Sequence, residues 1–174
     1  MSQTAAVTRR LTIRSAALAD DVPSWLPRSG GETTMAVHGH LYDAAALPAL
    51  VAATDTDVLG VFTYTLEGHA LKIVPCNADP PGQGVGRALV EATVSLARAQ
   101  CLRRVWCTTT NDNLAVLGFW QAPGFVLLEL RPGAEETARR LKPSIPLHGY
   151  RGLPIRDEID LERTLLTPGP RRLE

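Results

Sequence analysis

Leu71-Lys-Ile-Val-Pro-Cys-Asn-Ala-Asp-Pro-Pro-Gly-Gln-Gly-Val-Gly-Arg-Ala-Leu-Val90 reads as an incoming strand, a glycine-rich turn and the start of a long helix. Gly82, Gly84 and Gly86 stand at alternate positions in the turn. Glycine lacks a Cβ, so the turn can take backbone conformations closed to other residues and lets a ligand approach the main chain. The helix after the turn directs its unpaired N–H groups and the positive end of its dipole at the same space. That combination binds a phosphate or pyrophosphate through main-chain donors. The same pattern also serves as a tight strand-to-helix connection that binds nothing.

Two common phosphate motifs are excluded. The nucleoside-triphosphate loop ends in Gly-Lys-Ser/Thr, whereas this turn ends Gly86-Arg-Ala88. The dinucleotide fingerprint needs a third glycine where Leu89 stands, and no acidic ribose partner follows at the expected distance.

A second stretch, Asn113-Leu-Ala-Val-Leu-Gly-Phe-Trp-Gln-Ala-Pro-Gly-Phe125, follows a strand and has a helical pattern. Together the two stretches resemble the GNAT acyltransferase superfamily. That family's first motif, Arg/Gln-x-x-Gly-x-Gly/Ala, wraps the pyrophosphate of coenzyme A. Pro81-Gly-Gln-Gly-Val-Gly86 falls on it, with Pro81 in place of Arg or Gln. The second motif runs from an Asn through an apolar residue and a Tyr to Gly-Phe. Asn113, Val116, Trp120, Gly124 and Phe125 keep its spacing, with Trp120 in place of Tyr. The resemblance covers residues 58–130 well and 11–166 more loosely. It implies an α/β (α+β by some schemes) fold: a GNAT-like central mixed sheet with helices on both faces and a splayed parallel strand pair.

Composition fits one domain. The chain has 174 residues and a hydrophobic fraction of 45%, enough for a single core. We expect one domain over residues 1–166 and a Pro/Gly-broken flexible tail over 167–174. Lys plus Arg and Asp plus Glu number 18 each, which argues against nucleic acid as a partner, since that needs a basic surface. Cys76, Cys101 and Cys107 form no framework spacing and read as reduced thiols of a cytoplasmic protein. No apolar run is long enough to span a bilayer, and residues 1–10 are not a signal peptide. The expected assembly is a monomer or homodimer.

Taken in order, residues 11–14 read as a strand and 16–26 as a helix interrupted by Pro23. Residues 33–37 read as a short extended piece, and 41–47 as a helical turn capped by Asp43. In the family, the segment around residues 23–48 forms one wall of the acceptor site. A meander comes next over 49–54, 58–66 and 70–76, with short turns that force antiparallel neighbours. The pattern then predicts a helix over 86–100, a strand over 103–110 and a helix over 113–121. A strand over 125–130, a helix over 135–141 and a last strand over 156–166 complete the chain. The strand–helix–strand unit implies a parallel pair with a right-handed crossover.

The resemblance assigns roles residue by residue. The main chain of Cys76, Asn77 and Ala78 faces the pantetheine arm as a strand edge. Gln83, Gly84, Val85, Gly86, Arg87 and Ala88 offer N–H groups to the pyrophosphate, a donor that Pro81 lacks. Asn113 caps the next helix or hydrogen-bonds the pantetheine. Trp120 occupies the position of the family's tyrosine acid; an indole only donates and does not titrate, so it is not a general acid. It lines the thioester pocket, hydrogen-bonds the sulfur or is a core aromatic. Tyr42, Tyr64 or water are the alternative acids. The Cys76 thiol has no evident activating base and reads as a bystander. Asp79 and Glu67 are weak candidates for the base. His38, His40, His69 and His148 read as loop or turn histidines, and no metal-ligand set is present.

The implied activity is transfer of an acetyl or related acyl group from acetyl-CoA, or another acyl-CoA, to a primary amine in a ternary complex, with no metal. The acceptor is a small-molecule or protein amine. Because Pro81 and Trp120 depart from the pattern, the alternative is a catalytically silent CoA-binding module.

Overall fold

In the computed structural model of the chain, which describes residues 10–165, one sheet carries the fold. The tail expected over 167–174 lies outside the described residues, as do residues 1–9. The strands of the sheet are β1 (Thr12–Ser15), β4 (Ala49–Ala53), β5 (Val58–Glu67), β6 (Ala70–Ala78), β7 (Arg104–Thr110), β8 (Val126–Arg131) and β9 (Glu158–Thr164). They lie in the order β1-β4-β5-β6-β7-β9-β8. The meander pairs antiparallel, β6 and β7 pair parallel, and β9 returns antiparallel between β7 and β8. This is the expected mixed sheet.

Helices cover both faces. On one face α2 (Val85–Ala99) buries Val85, Leu89, Val90, Val94 and Ala97 against Leu71, Ile73, Val105 and Leu161. The fit is close at Gly60, where a Cβ would stand 2.8 Å from side-chain carbons of Leu89 and Val85. Thr93 sits on the same buried stripe and donates its hydroxyl to Leu89 O at 2.8 Å, as a buried hydroxyl must. The helix α3 (Leu114–Gln121) joins this core through Trp120. On the other face α1 (Val22–Arg28) buries Val22 and Leu26 over Val51 and Val61. Pro23 lies in its first turn, where a missing N–H costs nothing. The proline therefore opens the helix and does not interrupt it.

The segment between α1 and β4 differs from its sequence pattern. β2 (Thr34–Val37) and β3 (His40–Asp43) form an antiparallel hairpin, and only Ala44–Ala46 makes a helical turn. Asp43 caps that turn as expected, accepting from Ala45 N at 2.9 Å. The two turn residues, His38 and Gly39, have φ of 54° and 71°. Positive φ at both central positions is the geometry of the tight hairpin turn that matches strand twist. The helix α4 (Ala134–Leu141) packs on this hairpin.

Candidate active site

The parallel pair separates part-way along. β6 and β7 are partners only from Ala70↔Arg104 to Ile73↔Cys107, so residues 74–78 of β6 have no strand beside them on that edge. Two local causes coincide there. Pro75 has no N–H to give to a ladder. The β5–β6 register also shifts between Phe62 and Tyr64, and the hydroxyl of Thr63, at the shift, donates to Pro75 O at 3.1 Å. A bulge bends its strand and re-aims the side chains beside it.

A cavity of about 360 Å³ occupies the gap. Its floor is Val74, Pro75 and Cys76 of β6 with Cys107, Thr108, Thr109 and Thr110 of β7. One wall is Asn113, Val116 and Trp120; the facing walls are β2 and the segment from α4 to Ile155. Burial pushes the Cys76 thiol up to about 12, and Cys107 is also raised well above its ordinary value. Neither is a thiolate at neutral pH.

Beyond the free edge, Gly84 takes φ of 80° and caps α2. The Ala88 N–H donates to Gly84 O at 3.0 Å, the first bond of the helix. The donors left without intrahelical partners are therefore those before Ala88, over residues 84–87. An added Cβ at Gly82 or Gly84 would meet no atom within 4 Å, so the turn is open; at Gly86 it would stand 3.1 Å from the Phe119 ring. Gly86 thus serves the contact between α2 and α3.

Asn113 precedes α3, but its side chain makes no capping bond; Asn113 lines the cavity. Its neighbours are committed elsewhere. Asp112 accepts from the Thr110 hydroxyl at 2.6 Å and from Tyr150 N at 3.1 Å. The Asn111 side chain accepts from Arg156 N and Asp157 N, both at 2.9 Å. Trp120 is buried among Phe62, Phe119 and Phe125, with ring centroids 5.8, 5.0 and 5.0 Å away. It is both a core aromatic and part of the cavity wall.

The facing walls are charged. Glu135, in the first turn of α4, is 3% exposed and its Oε2 has no hydrogen-bond partner. Burial, reinforced by Glu158, raises its carboxyl to about 7. Glu158 is itself spoken for: it accepts from Arg131 Nε and His38 N, each at 3.1 Å. Lys142 pairs with Glu32 and donates to Thr34 O at 2.8 Å, joining the end of α4 to the start of β2. Among the described residues no cluster of three or more His, Cys, Asp or Glu side chains is placed to hold a metal ion, and no described helix is long and apolar enough to cross a membrane.

A family model described as the Acetyltransferase (GNAT) family matches residues 16–125. The chain belongs to the GNAT family. It is 32% identical over 147 residues to Uncharacterized protein YxbD of Bacillus subtilis (strain 168), spanning 84% of this chain and 92% of that one. Among solved structures it is similar to an IAA acetyltransferase from Bacillus cereus ATCC 14579. That match has 17% identity and a TM-score of 0.68, covering 90% of this chain and all (100%) of the other. It is also similar to a GNAT family acetyltransferase from Elizabethkingia anophelis solved with acetyl-CoA bound. Here identity is 16% and the TM-score 0.64, over 89% of this chain and 98% of that one. At these identities the two structures speak for the fold.

Within this GNAT fold, the residues singled out in the sequence divide into groups. Cys76, Asn113 and Trp120 line the cavity. Asn77, Ala78 and residues 83–88 lie outside it, on the strand edge and turn that lead away. The Asn77 amide donates to Ser29 O at 2.6 Å, tying the edge to the end of α1. The acid and base candidates lie elsewhere. The Tyr42 hydroxyl donates to Glu67 and accepts from Lys72, and burial raises it to about 12. Asp79 sits in a separate polar recess with Asp20, Trp25 and Arg28. Tyr64 packs against the α2 core. His38 is a turn residue, as read, and its side chain lies over the sheet. Its Nε2 is 3.0 Å from Asp160 and 3.3 Å from the Thr108 hydroxyl, and its ring centroid is 5.2 Å from that of Trp106. Burial holds its imidazole below the ordinary value, partly offset by Asp160.

Glu135 is the residue that sequence reasoning passed over. Acidic residues in a first helical turn suit the dipole, so Glu135 and Glu136 look alike. The one available signal is that Ala134, Ala138 and Leu141 mark an apolar stripe at helical spacing, with Glu135 beside it.

Proposed function

We propose that this protein transfers an acetyl or related acyl group from acyl-CoA directly to a primary amine within a ternary complex. The observation that carries the reading is the unpaired edge of β6 at residues 74–78, set between a cavity and an open helix N-terminus. An extended amide chain adds to such an edge as another strand would. The main chain of Cys76, Asn77 and Ala78 would receive the pantetheine arm. The turn from Gln83 through Gly84, Val85 and Gly86 to Arg87 would receive the pyrophosphate, with Ala88 closing the first helical bond. The thioester end would reach the cavity beside Asn113 and Trp120, where an N–H of the free edge would polarise the carbonyl. Fixing the amine against that carbonyl supplies much of the acceleration. The free thiols fit a reducing, cytoplasmic setting.

A second reading, a CoA-binding module without turnover, is favoured by Trp120. A donor-only indole packed among three aromatic rings supplies no proton to a leaving thiolate at neutral pH. Calorimetry and thiol release together test both readings. Acetyl-CoA should bind the wild type and bind Gly84→Val about tenfold or more weakly, a loss of roughly 1.4 kcal/mol, with the circular dichroism spectrum unchanged. Equal affinity in the variant overturns the site. Binding without thiol release from any amine selects the silent module.

A further inference from the structure

The acceptor side of the cavity has a specific chemistry. Its carboxylates are Glu32, Glu135 and Glu158. Glu32 is paired with Lys142, and Glu158 is held by Arg131 and by the His38 N–H. Glu135 is buried with an oxygen left unpartnered, in a position that lines the cavity. A buried acceptor without a donor is costly unless a ligand supplies one. Thr34 and the paired Lys142 also line that side, and the remainder is apolar: Met35, Ala36 and Val37 from β2 with Ile145, Pro146 and Ile155.

We propose, building on the transferase reading, that the acceptor is a small primary monoamine with a compact apolar body, that Glu135 receives its ammonium group, and that Glu135 is the base that deprotonates it. The volume of about 360 Å³, shared with the thioester end, suits a small molecule. Glu32 is paired with Lys142 and Glu158 with Arg131, so among the cavity's three carboxylates Glu135 is the one left to receive a cation, and the site suits a single ammonium. An ordinary alkylammonium keeps its proton at neutral pH, at a pKa of about 10.4, so attack needs a base in contact with it. Glu135 takes one proton from the ammonium, and the neutral nitrogen then attacks the thioester carbonyl carbon. The C–N bond forms, the C–S bond breaks, and the sulfur leaves with its electron pair. The second nitrogen proton passes through water to the thiolate, and Glu135 returns its own proton to solvent.

The charges facing Glu135 are Glu158 on β9, Asp112 after β7, and Arg139 and Lys142 on and just after α4. Burial and the two acids hold its carboxyl up at about 7 against the two cations, near the working pH that suits a general base.

The test uses the full chain, with isoamylamine and 2-phenylethylamine as acceptor probes, and spermidine and an Ala-Gly-Gly peptide as the contrasting classes. Acetyl-CoA should bind wild type and Glu135→Gln with affinities equal within about twofold, since Glu135 lies on the acceptor side. In wild type, kcat/KM for the apolar monoamines should exceed that for spermidine and the peptide by about tenfold or more. Glu135→Gln should lower it about 100-fold or more at pH 7 and abolish the acidic limb of the pH–rate profile. It should also weaken isoamylamine binding, measured calorimetrically beside a non-transferring thioether analogue of acetyl-CoA, by about tenfold. Glu135→Asp, which keeps a carboxylate, should keep the acidic limb, and it serves if the glutamine variant does not fold. No acetyl-CoA binding in wild type overturns the transferase reading itself. Binding with turnover, but an unchanged pH profile and amine affinity in Glu135→Gln, overturns Glu135 alone. Preference for spermidine or the peptide, or no thiol release with the monoamines, overturns the acceptor class.

Discussion

On the α2 face of the sheet, Leu71, Ile73, Val105, Cys107 and Leu161 are buried in one apolar cluster. On the opposite face, the intervening residues of the same strands are Lys72, Trp106, Thr108, Glu158 and Asp160, and all are buried too. There Lys72 Nζ lies 4.4 Å from the Trp106 ring centroid and 4.8 Å from that of Tyr42, with Glu67 Oε1 at 3.7 Å. Asp160 accepts from Thr108 at 2.6 Å and from Arg131 at 2.5 Å. Burying each aliphatic side chain on the first face contributes about 1.5–3 kcal/mol. Burying charges on the second roughly breaks even once they are paired. The first face therefore gives the fold its stability. The second, which runs directly into the cavity through Thr108 and Glu158, positions groups and gains little stability by doing so.

Asp160 and Leu161 are neighbours on β9 that point to opposite faces, so they test this contrast directly. Asp160→Ala should cost about 3–5 kcal/mol, because Arg131 and His38 lose their common acceptor; Leu161→Ala should cost about 2–5 kcal/mol as a cavity forms. Urea unfolding of both variants measures this. Asp160→Asn, which keeps an acceptor for Thr108 and His38 and leaves Arg131 on Glu158, should recover part of the first loss, whereas no second substitution refills the cavity at Leu161. A loss below about 1 kcal/mol in Asp160→Ala would make the polar face a solvated surface.

A smaller effect depends on pH. Glu135 has a folded-state pKa of about 7, above its ordinary 4.5. Below pH 4.5 it is protonated in both states and costs nothing. As pH rises towards 7 the unfolded chain ionises first, and the wild type loses stability; above 7 the loss levels off. Glu135→Gln cannot ionise, so its stability relative to wild type should grow by on the order of 2 kcal/mol across that window, reduced from the full linkage value for solvent access. Denaturant titrations at pH 4.5, 6 and 8 read it out. A constant difference would place Glu135 in ordinary solvent.

The smallest change is expected on the α2 side. In Gly86→Ala the new Cβ meets two Phe119 ring atoms at 3.1 Å. The crowding, typically about 1–3 kcal/mol, is opposed by the roughly 1 kcal/mol that alanine gains over glycine in a helix. Thermal unfolding should show a net change within about 1 kcal/mol. A larger loss would show that the α2–α3 contact cannot yield.

The same contrast governs what could be read from the sequence. The meander strands over 58–66 and 70–76, the helix over 86–100 and the glycine turn rest on local patterns, and each became the expected element. Residues 41–47 misled because the alanine run Ala44-Ala-Ala46 favours helix, while the pairing of residues 40–43 with 34–37 is tertiary. The turn that closes that hairpin uses His38 where Asn or Asp would have announced it. The open turn before α2 was legible because glycines at 82 and 84 supply its positive φ. Glu135 was not, because its burial depends on the packing of α4 on the β2–β3 hairpin, about 100 residues earlier in the chain. The His38 and Asp160 pair was hidden for the same reason, with 122 positions between them.

The alternation along β9 also bears on how the chain reaches this structure. Ile159 and Leu161 face the α2 core, and Arg163 reaches Glu91 of α2 at 2.9 Å; Glu158, Asp160 and Glu162 face the other way, with Glu162 2.9 Å from Arg104. A slip of one residue would turn three carboxylates into an apolar core and lift two aliphatic side chains onto a charged surface. Each misplaced, unpaired carboxylate costs several kcal/mol, a penalty comparable in sum to the stability of a whole domain. β9 enters between β7 and β8 late in the sequence, when both neighbours are already available as templates. The charges that hold this polar face together thus also act as a lock on strand register, leaving one alignment far below its competitors on the folding landscape.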